Sequence, residues 1–271
     1  TSLRVGGEAE YFFKPADIID LKFFLSKIES DVPIFWLGRG SNLLVRDGGI
    51  KGIVISTSKI LKEIIKINDN QVEVGANVPC TTVARKCIRW NMGPSEFFSG
   101  IPGSLGGALA MNAGAYGYET WERVTTVRTI DRIGNIHERN PNDYLIEYRQ
   151  VKGPTDEWFL SAKLKFDSKD TPSIEKQKEM LMHRKNSQPL GLPSCGSVFR
   201  NPPNNFAAKL IEESNLKGYR IGGAEISKKH ANFIITDHTA ISNDVEIATV
   251  EAEVRRPCAS TTNLGIAVVV P

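Results

Sequence analysis

The sequence predicts an α+β protein in which two small lobes grip one long ligand and a smaller α/β unit follows them. Three observations carry this. Two glycine-rich loops, Gly38–Asn42 and Ser99–Gly117, each break an apolar run. Apolar strand-like segments alternate with helix-like ones as far as residue 168. A proline-bearing composition shift at Gln188–Pro193 then opens a new run of elements. The expected layout is a lobe over about residues 1–58, a second over 59–168 and a third unit over 169–271.

In the first lobe Gly6-Gly7 reads as a turn ahead of a short strand ending at Phe13. Residues 15–28 read as a helix, because Pro15 stands where its missing N–H costs least and Ile18, Leu21, Leu25 and Ile28 recur at helical spacing. Ile34–Leu37, Gly52–Ser56 and Gln71–Val74 read as strands. A helix at Thr81–Asn91 precedes the second glycine loop, which Glu96-Phe97-Phe98 leads into. Strands follow at Val124–Asp131 and Trp158–Phe166, with Gly134-Asn135 as the turn of a hairpin after Asp131. Ser173 caps a charged helix over 173–186, whose basic end is either a solvated terminus that complements the helix dipole or a contact for phosphates. Beyond Pro193 come a helix at Asn205–Ser214, a turn at Leu216–Gly218, the pair Gly222-Gly223, a strand at Ala231–Thr236 and a helix capped by Ser242.

At 271 residues the chain can bury a real core, and its net charge of +3 gives no footprint for nucleic acid. An anionic ligand would need local positive charge instead. Cys80, Cys87, Cys195 and Cys258 lack C-x-x-C spacing, so no zinc site and no other metal is expected. The gap from Cys80 to Cys87 suits two turns of a helix, and free thiols fit a reducing cytoplasm. No apolar run reaches membrane-spanning length and no signal-peptide core is present, so a cytoplasmic protein without a membrane partner is expected, as a monomer. The chain opens at Thr1 inside what reads as a motif, and a leading segment is expected before it.

Leu105, Leu109 and Met111 are interleaved with the glycines of the second loop, which marks it as folded rather than as a linker. Glycine lets a ligand approach the main chain closely, and a run of N–H groups entering a short helix makes a concave phosphate site. A tight, packed glycine turn has the same composition, but a second loop of this kind after the strand Ile34–Leu37 favours the ligand site. Neither loop fits the dinucleotide fingerprint: Leu43 stands at the third glycine position of the first, and Leu105 at the middle position of the second. A Rossmann domain is therefore disfavoured.

The segments GRGSNLL (38–44), SGIPGSLGGALAMNAGAYG (99–117), YRQV (148–151), CGSVFRNP (195–202) and GGAEISKKHANFI (222–234) resemble, in this order, the signatures of the UDP-N-acetylenolpyruvoylglucosamine reductase (MurB) family. The resemblance covers roughly residues 1–245 and rests on several motifs together. It implies a two-lobed FAD-binding domain of the PCMH-type flavoprotein fold plus a substrate-binding domain. It also implies an NADPH-dependent oxidoreductase that completes UDP-N-acetylmuramate for peptidoglycan from an enolpyruvyl UDP-linked sugar. The short 150–196 separation between Arg149 and Ser197 resembles the subtype without the extra insertion and tyrosine-bearing loop.

By the resemblance, FAD lies on Gly38, Arg39, Gly40, Ser41, Asn42 and Leu43 of the first loop and on Gly100, Pro102, Gly103, Ser104, Gly107, Asn112 and Gly114 of the second. None of His137, His183, His230 and His238 lies in either loop, so the FAD is expected to be non-covalent. An isolated Tyr148-Arg149 would read as a surface ion-pair segment, but the motif match makes Arg149 the residue that binds the enolpyruvyl carboxylate, with Tyr148 lining the pocket. Arginine suits that task, since its planar fork grips a carboxylate bidentately and never loses its charge. Ser197 is implied as the general acid, with Arg200 and Asn201 as ligands of the UDP diphosphate. No Gly-x-Ser-x-Gly elbow surrounds Ser197, so a hydrolase is disfavoured. His230 reads as a structural histidine near the same pocket.

The tail departs from the family pattern, which ends in Gly-Ile/Val and then a strand bearing a glutamate. Here Gly265-Ile266 leads into Ala267–Pro271 without one, and Glu253 of the look-alike EVRR comes too early, so the third catalytic residue is not carried over. Two rivals stay open: an FAD-dependent alcohol oxidase of the same fold, and a non-catalytic flavin- or nucleotide-binding protein.

Overall fold

The structure, a computed structural model, describes residues 1–167, 171–255, 265 and 267–269. Cys258 and most of the departing tail lie outside the described residues. Its helices are α1 (Ile18–Leu25), α2 (Cys80–Arg89), α3 (Leu105–Ala110), α4 (Ile174–Ser187), α5 (Ala207–Glu213) and α6 (Ser242–Val254). The chain divides into two compact units that interleave in sequence. The sheet unit takes Phe12–Arg39 and Val54–His183; the terminal unit takes Thr1–Tyr11, Gly40–Ile53 and Arg184–Pro271. One crossing falls inside the first glycine loop, after Arg39, and another inside α4.

The sheet unit is built on five antiparallel strands in the order Ile136–Arg139, Val124–Asp131, Glu157–Lys165, Gln71–Gly75, Ile64–Lys66. Register decides which face is apolar. Val127, Ala162 and Val74 stand side by side across three strands and all are buried, as are Val124, Leu164 and Val72. The intervening row of Thr126, Lys163 and Glu73 points to the other face, as the two-residue pleat requires. The apolar face packs α2 and α3. Cys80, Val83, Ala84, Cys87 and Ile88 of α2 are buried at the i, i+3, i+4, i+7, i+8 spacing of an amphipathic helix. Cys80, Val83, Ala84 and Cys87 join Phe97, Phe98, Leu105 and Leu109 in one core.

Burial also sets the cysteine chemistry. It pushes the thiols of Cys80, Cys87 and Cys195 up to about 12. All three are free. At pH 8 only about one part in 10⁴ of each is thiolate, so an alkylating reagent followed by mass spectrometry is expected to label them after denaturation and not in the native protein.

Several boundaries shift for local reasons. The helix expected over 15–28 occupies only Ile18–Leu25, because the Asp17 carboxylate accepts from the N–H groups of Ile19 and Asp20 and so sets the start. The hairpin after Asp131 forms as expected: its carboxylate accepts from Ile133 and Asn135 N–H, and Gly134 takes φ +87°. Ser173 caps α4 through the N–H of Lys176 at 3.1 Å.

The terminal unit holds a three-stranded antiparallel sheet (Arg220–Ile221, Ala224–Ile226, Ile234–Thr236) with α5 and α6 in its core. Ala207, Ile211, Ile226, Ile234, Val245 and Ala248 pack with Leu44 and Val198. Leu43–Val45 pairs in parallel with the backbone of Ala267–Val269. The strand expected at 231–236 is confined to Ile234–Thr236, and the helix expected at 205–214 to Ala207–Glu213. Ser242 is not the cap of α6 but its first residue. Its N–H and that of Asn243 donate to the Asp47 carboxylate, at 2.9 and 3.4 Å, and the Ser242 bond holds the Asp47 carboxyl below the usual carboxylate range.

Candidate active site

The second glycine loop is laced onto the segment before α2. Gly103 takes φ +95° and its carbonyl accepts from Cys80 N–H at 3.1 Å. Leu105 and Gly106 N–H, the first two of α3, donate to the carbonyls of Val78 and Ala76 at 2.9 and 2.7 Å. Those donors are committed to the fold, so a phosphate would not be cradled by them. Gly106 lies against Ala76, where an added Cβ would stand 3.0 Å from the alanine methyl. One residue on, the position of a Gly107 Cβ has no heavy atom within 4 Å. A Cβ on Gly38 would meet only Ser104 Oγ, at 3.6 Å, so the structure brings the start of the first loop against the second. Beside them a cleft of about 450 Å³ is lined by Gly38, Arg39, Ser58, Lys62, Asn77 and Pro79. Lys62 is a cation of this cleft that carried no signal in the sequence.

The flanks of the loop are tight. A Cβ on Gly100 would overlap Ala115 and the Tyr116 ring, and one on Gly114 would lie 2.3 Å from Tyr118 O. Asn112, expected to touch cofactor, has its side chain committed inside the fold. It is 1% exposed, with the amide donating to Glu119 Oε2 (2.6 Å) and Glu147 O (3.2 Å) and the oxygen accepting from Trp121 N–H.

Arg149 lies in a hairpin turn the sequence did not announce. Leu145–Glu147 pairs with Gln150–Lys152, leaving Tyr148-Arg149 as the two-residue connection. Arg149 takes φ +59°, a left-handed conformation that costs a non-glycine residue about 1 kcal/mol or more. Its Nη2 donates to Gly114 O at 2.8 Å and Nη1 reaches Asn112 O at 3.5 Å. The guanidinium thus sits at the end of the second glycine loop, 5.3 Å from the Tyr148 ring centroid.

The remaining candidates belong to the terminal unit. Asn42 Nδ2 donates to Gly265 O at 3.0 Å, Gly40 O accepts from Ser2 N–H, and Leu43 is buried in its strand. Ser197 is exposed and follows Gly196 at φ +85°. Its segment is held by Asn232, a residue sequence reasoning quoted without giving it a role. Asn232 O accepts from Val198 N–H at 2.9 Å, while its side chain accepts from Phe199 N–H and donates to Phe199 O. An asparagine set between the apolar Ala231 and Phe233 was the available signal; the structure leaves it 3% exposed, and a buried amide must be satisfied. Asn201 Oδ1 accepts from Ala207 N–H at 3.2 Å, at the start of α5, and Arg200 is half-buried beside it in sequence. His230 Nδ1 accepts from Asn232 N–H and its ring packs edge-on to Phe233; burial lowers its pKa, so it stays neutral at pH 7. Among the described residues no group of three His, Cys, Asp or Glu side chains could hold a metal ion, and no helix is long and apolar enough to cross a membrane.

The sheet unit thus holds the second glycine loop, Gly38-Arg39 and Arg149, whereas the terminal unit holds Gly40–Leu43, Ser197, Arg200 and Asn201. The family model of an FAD binding domain matches residues 9–140. That of the UDP-N-acetylenolpyruvoylglucosamine reductase C-terminal domain matches residues 188–264. UDP-N-acetylenolpyruvoylglucosamine reductase of Alkalilimnicola ehrlichii is 49% identical over 259 residues, which cover 94% of this chain and 87% of that protein. The Legionella pneumophila (strain Paris) protein of the same name is 50% identical over 260 residues, 94% of this chain and 86% of that one. The crystal structure of the Thermus caldophilus enzyme (MurB) superimposes with a TM-score of 0.82 at 30% identity, covering 99% of this chain and 95% of that one. With an α+β fold that joins an FAD-binding domain to this C-terminal domain, the chain belongs to the UDP-N-acetylenolpyruvoylglucosamine reductase family.

Proposed function

We propose that this protein is an FAD-containing, NADPH-dependent reductase that converts UDP-N-acetylglucosamine enolpyruvate to UDP-N-acetylmuramate, a peptidoglycan precursor. The observation that carries the reading is the Arg149 guanidinium, bonded to Gly114 O at the end of the second glycine loop. It sets a group suited to a carboxylate at the end of a loop that leaves room for a cofactor at Gly107. The open faces of Gly38 and Gly107 and the cationic cleft with Arg39 and Lys62 fit an anionic dinucleotide. FAD, when bound, would supply the redox chemistry, hydride transfer between NADPH and the vinyl group of the substrate.

The chain's own residues do the rest. Arg149 binds the substrate carboxylate and stabilises the enolate-like charge that develops on it as hydride arrives. Ser197 holds the proton destined for the adjacent carbon. A serine is acid enough only toward a strongly basic carbon centre in a site that excludes water. Tyr148 lines the pocket, and Arg200 with Asn201 lies toward the UDP diphosphate. The reaction belongs in the cytoplasm, which the free buried thiols of Cys80, Cys87 and Cys195 suit, and the protein acts as a monomer.

Gly107 provides the test of the cofactor site. Because nothing stands near its Cβ position, Gly107→Val is expected to leave the apoprotein folded, with its thermal midpoint within a few degrees of the unmodified protein. FAD affinity is expected to fall by about tenfold or more as the branched side chain fills the cradle. Unchanged FAD affinity by fluorescence titration would remove α3 from the cofactor site.

A further inference from the structure

We infer that Glu119 is a positioning residue for Arg149, acting through the buried amide of Asn112. The inference rests on the reading of Arg149 given above. Two hairpins meet at this arginine. One carries it, in the Tyr148-Arg149 turn; the other, Gly114-Ala115 paired with Tyr118-Glu119, offers it a carbonyl. Glu119 stands directly opposite Gly114 in that second hairpin, and Gly114 O accepts from Arg149 Nη2 at 2.8 Å. The same Glu119 accepts from Asn112 Nδ2 at 2.6 Å, and Asn112 O is the second carbonyl that the guanidinium reaches. One glutamate therefore frames both carbonyls, one through its backbone and one through its carboxylate.

The network closes on the arginine's own turn. The Asn112 amide that binds Glu119 also donates to Glu147 O at 3.2 Å, two residues before Arg149. Asn112 takes φ +40° and is fully paired, with Trp121 N–H on its oxygen. A carboxylate has no donor of its own, so Glu119 can only accept from the Asn112 nitrogen, which fixes the amide with its oxygen toward Trp121. Without it only Trp121 N–H and Glu147 O hold the amide. The bond that ties the amide to the turn holding Arg149 in a left-handed conformation is then less firmly aligned. Glu119 is half-buried and lies outside the motifs' central glycines, so it can be changed without opening a cavity in the core.

The test uses the full chain loaded with FAD, reduced anaerobically with NADPH and mixed with UDP-N-acetylglucosamine enolpyruvate over a range of concentrations. Glu119→Ala is expected to raise the substrate concentration for half-maximal flavin reoxidation by about tenfold, the effect of losing one hydrogen bond to a charged group. NADPH reduction of the flavin should stay within twofold of the parent, by the same reasoning about roughly one local contact. Glu119→Gln, which keeps an acceptor oxygen, is expected to recover most of the loss. Glu119→Ala placed on Arg149→Ala should add nothing, because its effect passes through the arginine. A normal reoxidation profile for Glu119→Ala, or additive losses in the double variant, would overturn the positioning role while leaving Arg149 in place. If Arg149→Ala alone reoxidises normally, the reading of Arg149 fails, and this inference fails with it.

Discussion

Replacing Ser197 by alanine is expected to leave NADPH reduction of the bound FAD unchanged and to slow reoxidation by the enolpyruvyl substrate by about 10²–10⁴-fold, the contribution of a positioned general acid. The structure makes this a clean substitution. Ser197 is exposed, and its segment is held by backbone bonds: Val198 N–H to Asn232 O, and Phe199 to the Asn232 side chain. Removing a hydroxyl from that frame leaves every one of those bonds intact. Reduction by NADPH needs no proton from a serine, whereas saturation of the vinyl group does. Cysteine at 197, which keeps a proton on a group of similar size, is expected to retain more activity than alanine. Loss of flavin reduction in Ser197→Ala would show that the hydroxyl serves the cofactor rather than the substrate.

Arg149→Lys is expected to be nearly as damaging as Arg149→Ala, with reoxidation slowed by about 10²-fold or more, comparable to removal of a main transition-state donor. Lysine keeps the charge but loses the planar fork that can hold carbonyls on one side and a carboxylate on another. The observed bonds to Gly114 O and Asn112 O use two nitrogens of that fork at once. Both variants bear a β-carbon at the same left-handed φ, so backbone cost cancels between them and the comparison isolates the fork. Full activity in the lysine variant would reduce the arginine to a point charge.

Much of this was legible because it is written in short-range patterns. The α2 stripe from Cys80 to Ile88, the Asp131 hairpin and the Ser173 cap each depend on residues within a few positions of one another. The two glycine loops stood out by composition, and the motif order identified the family. What sequence could not supply were partners distant in the chain. Asp47 replaces Ser242 as the cap of α6 across nearly two hundred residues. Asn112 resembles a cofactor ligand in the motif, yet its amide is bound to Glu119, Trp121 and Glu147. The Arg149 hairpin was missed because its strands are only three residues long, too short for a period-two pattern to stand out. The interleaving of the two units has the same origin, since the chain crosses inside the first loop where composition does not change.

The central claim is a reductase with two half-reactions run by one flavin site, and anaerobic stopped-flow on the purified, FAD-loaded protein tests it most directly. The flavin is reduced with NADPH and then mixed with UDP-N-acetylglucosamine enolpyruvate. Rapid reoxidation in the absence of oxygen, with one UDP-N-acetylmuramate formed per flavin, is the predicted result. A flavin that is reduced by NADPH but stays reduced in the presence of substrate, and reoxidises only when oxygen is admitted, would contradict it.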